Sequence, residues 1–143
     1  TVADKRTVIE PKTIINKEHI QEQQKIALQH LAFMKGVNAQ NEKIMSVEQF
    51  NQLIAAVSSL IENELVPAIG NPLPQIKLPN NYIRYTFYLL HKTLYTTKSI
   101  KESWINFLHD MFLQFKNNER ATTKAKFSEK PSMYDAELQQ LKK

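Results

Sequence analysis

The sequence predicts an all-α protein: a single-domain bundle of four main helices plus a short C-terminal helix, with a proline-rich crossover between helices two and three and extended polar arms. Three observations predict it. Apolar residues recur at steps of three and four over four separate stretches. Capping residues and prolines bracket those stretches. A length of 143 residues suffices for one core without metals or disulfides. The expected layout is an N-terminal arm over 1–16, a helical bundle over 17–115, and a basic connector with a short C-terminal helix over 116–143.

The arm, with its stretch "TVIEPKTII", alternates only weakly and is expected to lie extended along the bundle. The first helix is expected from Lys17 to Met34, where Ile20, Gln24, Ala27, Leu31 and Met34 share a face and Asn16 can cap the start. Gly36 is placed to close it in a left-handed conformation, and "GVNAQN" has loop composition. The second helix has the clearest start. Ser46 and Gln49 form a capping-box pattern, and Met45 and Phe50 are spaced as a hydrophobic staple. Its stripe of Phe50, Leu53, Ile54, Val57, Leu60, Ile61 and Leu65 runs until Pro67 stops the pattern.

The stretch "LVPAIGNPLPQIKLPNN" from Leu65 to Asn81 holds four of the six prolines. A flexible linker would be rich in Gly and Ser, whereas this one interleaves its prolines with Val66, Ile69, Leu73, Ile76 and Leu78. That composition predicts a stiff crossover packed on the bundle, turning at Gly70 and Asn71. Asn80 or Asn81 then caps the third helix, whose stripe is Ile83, Phe87, Leu90 and Leu94. Ser99 and Glu102 form a second capping-box pattern for the fourth helix. Ile100, Trp104, Phe107, Leu108, Met111, Phe112 and Phe115 cover most of its circumference, which predicts the most buried element. After Phe115 the periodicity lapses into an exposed basic connector with one apolar anchor, Phe127, and a last helix is expected from Ser132 to Leu141. The predicted core comprises Phe50, Ile54, Val57, Ile61, Ile83, Phe87, Leu90, Leu94, Trp104, Leu108, Met111 and Phe115.

Composition narrows the chemistry. The chain has no cysteine, which excludes disulfides, thiol catalysis and cysteine-ligated metals. No apolar run is long enough to cross a bilayer, and the first residues lack the apolar core of a signal peptide, so an intracellular, cytoplasmic protein is expected. A net charge of +5 favours acidic partners and polyanions. On the third helix the apolar stripe leaves Arg84, Tyr85, Tyr88, His91, Lys92 and Tyr95 on the opposite half of the cylinder. Cations that neutralise phosphates and rings that stack on bases suit nucleic acid, while the bland alternative is a set of tyrosines at the rim of a core. Lys116, Arg120, Lys124 and Lys126 of the connector extend this set of candidate contacts for a polyanion or a protein partner, although Glu119 and Glu129 interrupt the run.

No metal site or cofactor is expected. His19 and His30 would stand about 16 Å apart along a helix, beyond shared coordination, and His109 points about 100° away from Asp110. Glu64, near the apolar stripe, is expected to pair with a lysine or arginine from another element. No phosphate-cradling glycine loop and no nucleophile motif is present. The expectation is therefore a non-catalytic protein-binding or structural subunit of a larger assembly, with a protein partner or a homo-oligomer. The alternative is a nucleic-acid-associated accessory protein that uses the third helix and the connector.

Overall fold

The computed structural model describes residues 2–95 and 99–132, with side chains from residue 17 onward. The fold is all-α. In order, α1 (Val2–Leu31), α2 (Val47–Asn63), α3 (Asn80–Leu94), α4 (Glu102–Met111) and α5 (Arg120–Ala125) are joined by loops, with 3-10 turns at Ala32–Lys35 and Leu113–Phe115. The last helix expected from Ser132 lies, past that residue, outside the described residues.

The first helix differs from expectation. Residues 2–16, expected as an extended arm, continue α1 in the N-terminal direction. Propagation from a stretch anchored by packing further along outweighs weak alternation over a few residues, even across Pro11, which has no N–H to donate. That anchor is partly polar. Ala27 and Leu31 are buried, and Gln24 Nε2 donates to the Ser58 carbonyl of α2 at 3.0 Å. The helix tightens into its 3-10 turn, and Gly36 then leaves it at φ −96°, so the expected left-handed closure is absent.

In α2, Ser46 accepts from Gln49 N–H and Gln49 Oε1 accepts from Ser46 N–H, a complete capping box. Phe50, Leu53, Val57, Leu60 and Ile61 are buried. Ile54, assigned to the core from sequence, is only half-buried, and Leu65 is 70% exposed because α2 ends two residues earlier. Glu64, in a left-handed conformation at φ 56°, turns the chain out of the helix. Its carboxylate pairs with Lys101 Nζ at 3.0 Å, the inter-element pairing that its position in the sequence predicts, but at an exposed site.

The proline segment packs. Leu73, Ile76 and Leu78 are buried. Leu73 N–H donates to the Met111 carbonyl at 2.7 Å, and Leu113 N–H donates to the Leu73 carbonyl at 2.9 Å, a short parallel bridge to the end of α4. Lys77 N–H reaches Ile44 O at 3.0 Å, and Asn38 Nδ2 donates to Lys77 O at 2.9 Å. The tightest knot is Gln114. Its Oε1 accepts from Ile76 N–H at 3.0 Å, and its Nε2 donates to Leu78 O at 2.9 Å and to Asn80 Oδ1 at 2.7 Å. Asn80 Nδ2 returns a bond to Gln114 O at 2.9 Å. Asn80 is thus committed to the crossover and does not cap α3; the Tyr82 and Ile83 N–H groups donate to the Pro79 carbonyl, and Pro79 is the cap residue.

Helix α4 is shorter than the apolar pattern suggests. It starts at Glu102 with Lys101 as cap residue, so Ser99 does not cap it, and it stops at Met111 where Phe112 opens to φ −110°, ψ 111°. That opening lets Phe112 lie beside Leu73. Trp104, Ile105, Phe107, Leu108 and Met111 are buried, and Phe87 of α3 touches the rings of Trp104, Phe107 and Phe112 at centroid distances of 6.3, 5.9 and 5.9 Å. Of the remaining residues assigned to the core from sequence, Ile83, Leu90 and Phe115 are buried and Leu94 is half-buried.

The connector is less free than its composition implies. Residues Arg120–Ala125 form α5, Thr123 is buried, and Phe127 is 1% exposed, packed edge-on against Tyr88 at 5.7 Å. Truncating this anchor should leave a cavity. Phe127→Ala is expected to cost about 3–5 kcal/mol in urea unfolding. Gln114→Ala should cost about 2–3 kcal/mol, since it strands the buried Ile76 N–H; an unchanged midpoint in either variant would contradict the packing described.

Candidate functional site

The outward half of α3 is not an open surface. The segment carrying α5 and Phe127 folds back across it, so the expected basic and aromatic platform is divided. Tyr85 and Tyr88 are half-buried and stacked at 5.8 Å. Arg84 is half-buried and its Nε donates to Lys126 O at 3.2 Å; burial pulls its pKa down, against the opposing pull of Glu129. Lys92 alone of the six candidates on this helix is exposed.

His91, expected on the outward face, is 1% exposed. Its Nε2 accepts the Lys101 N–H at 3.2 Å, and the rings of Tyr95, Trp104 and Phe127 surround it. Burial, reinforced by the Lys101 charge, pushes its pKa from 6.5 down to about 4. Beside it, Lys101 Nζ lies 4.8 Å above the Tyr95 ring. The Tyr95 hydroxyl and the Trp104 indole N–H are buried without hydrogen-bond partners among the described residues. Burial pushes the Tyr95 phenol up, and the nearby indole N–H offsets part of that rise without reaching ordinary hydrogen-bond geometry. This cluster joins α3 to α4 and has a structural character.

The basic residues of the connector part company as well. Arg120 Nη1 donates to Asn106 Oδ1 at 2.7 Å and Nη2 to Asp110 Oδ1 at 3.0 Å. Lys124 pairs with Glu102 of α4 at 2.5 Å. Lys116 and Lys126 are exposed. Among the described residues no group of three or more His, Asp or Glu side chains is arranged as metal ligands.

What the sequence does not reveal is a groove of about 620 Å³ between the crossover and the end of α4. The crossover lines it with Val66, Pro67, Ile69 and Pro72 and the turn after α4 with Leu113; His109, Asp110, Lys116 and Arg120 supply polar groups. Leu113 is 47% exposed, and Leu65 lies in sequence next to the wall. His109 Nε2 lies 2.7 Å from Thr123 Oγ1, and burial, with Arg120, pushes its pKa down against Asp110. Of the sequence candidates only Lys116 and Arg120 reach this groove. The signal available in the sequence was the run of prolines and aliphatics; its partner wall depends on where α4 stops.

No family model, curated protein or solved structure matches this chain.

The buried imidazole predicts a pH dependence. Below pH 6.5 an unfolded chain protonates His91 while the folded chain does not, so stability present at neutral pH declines between 6.5 and about 4. The loss attributable to this group is at most about 3 kcal/mol. His91→Gln, which keeps an acceptor for Lys101 N–H, should flatten the stability profile over that interval in urea titrations at successive pH values. Parallel profiles for the two proteins would show that His91 ionises freely in the fold.

Proposed function

We propose that this protein is a non-catalytic protein-binding subunit of a larger assembly and that the groove between the crossover and α4 receives its partner. The carrying observation is the groove's makeup. Half-buried Val66, Pro67, Ile69 and Pro72 line it together with Leu113, which is 47% exposed, so a partly exposed aliphatic surface meets polar groups in one concavity. Apolar clefts edged by polar groups are where protein and ligand contacts concentrate. The chain on the C-terminal side of the wall is fastened to the bundle by the Leu73 main-chain bonds and by Gln114. A pre-shaped wall limits the ordering cost of binding.

The alternative, an accessory protein of nucleic acid, called for a contiguous basic and aromatic surface on α3. Half-buried tyrosines and an interior His91 offer few ring faces for stacking, and two of the connector's cations are engaged with Asp110 and Glu102.

A photo-reactive phenylalanine derivative at Ala68, an exposed position in the groove, should give discrete protein adducts in extracts of the native source, while the same group at exposed Glu48 on α2 should not. Adducts to nucleic acid, or an identical pattern from both positions, would count against this reading. An adduct to a second copy would identify a homo-oligomer.

A further inference from the structure

The groove has a sign as well as a shape. Its polar side holds two permanent cations, Lys116 and Arg120, and one carboxylate, Asp110. That carboxylate is occupied by Arg120 Nη2 at 3.0 Å. Lys116 is exposed and has no ion-pair partner among the described residues. Burial and the neighbouring Arg120 disfavour protonation of His109. One positive charge is therefore left over beside an aliphatic wall. The wall itself offers few main-chain donors, since Pro67 and Pro72 have no N–H.

We propose that the occupant is an acidic, aliphatic segment of a partner protein. Its aliphatic side chains lie on Val66, Pro67, Ile69 and Leu113, and a carboxylate meets Lys116 with Arg120 alongside. This rests on the protein-binding reading above and adds the partner's chemistry. Two other occupants fit less well. A nucleic acid has the charge but no aliphatic side chains for the wall, and a second copy of a chain with net charge +5 brings like charge to a positive rim.

The test uses the full-length protein and short fluorescein-labelled peptides in which leucine or isoleucine alternates with glutamate. Companion peptides replace every glutamate by glutamine or by lysine. Fluorescence anisotropy should show the glutamate peptide binding about tenfold tighter than the glutamine peptide, with the lysine peptide weakest. Lys116→Glu, at an exposed position, should preserve the helical circular-dichroism spectrum and invert the order of the glutamate and lysine peptides. Equal binding of the three peptides, or an order unaffected by Lys116→Glu, would overturn the proposal. If no peptide binds while the Ala68 adducts form, the acidic segment is wrong and the protein-binding reading stands; if the adducts also fail, both fall.

Discussion

Where the crossover meets the end of α4, a carboxamide does work that main-chain ladders do elsewhere. Prolines at 67, 72, 74 and 79 remove four backbone donors from the returning chain, so it cannot be held by a regular strand pairing. Gln114 supplies both an acceptor and donors from one side chain, binding Ile76, Leu78 and Asn80 together. With that segment fixed, Leu73 can bridge to Phe112, α3 starts at Asn80, and the aliphatic wall at 66–72 faces the turn after α4. The groove is a by-product of this fastening.

A second constraint comes from rings. Phe87 sits among three aromatic neighbours contributed by α4 and the residue after it, while Phe127 closes the far side over Tyr88 and His91. Edge-to-face contacts of this kind favour one arrangement over a liquid-like core. They also explain why a histidine can be interior: it is neutral, it accepts one main-chain hydrogen bond, and rings cover the rest. Among the described residues the Tyr95 hydroxyl and Trp104 N–H find no partner, a polar cost of packing so many rings between α3 and α4.

The architecture was legible where local rules decide it. The capping box at Ser46, the α2 stripe from Phe50 to Ile61 and the packed nature of the proline segment all follow from residue type and spacing. Misreadings arose where tertiary contacts override those rules. Ser99 and Glu102 match a capping box, yet α4 begins after Lys101. Asn80 has the chemistry of a cap, but Gln114 claims it. Helical spacing carried the fourth helix through Phe115, because nothing local announces that Phe112 will turn to meet Leu73. Spacing alone places Arg84, Tyr85, Tyr88 and His91 on an outward face of α3, because a helical wheel cannot show that Phe127, forty residues from Phe87, covers part of it. For the same reason, a groove lined by two segments far apart in sequence, 66–72 and 109–120, left no trace in the spacing of either.

The prolines have one more consequence. A chain segment lying beside another and bonded through Leu73 resembles the beginning of a sheet, and an open sheet edge is a template on which other chains can assemble into fibrous aggregates. Here the pairing cannot spread: Pro72 and Pro74 flank the bridging residue and neither can donate to an incoming strand. The protein thus keeps an aliphatic, extended stretch near its surface while denying it the backbone register that self-assembly requires.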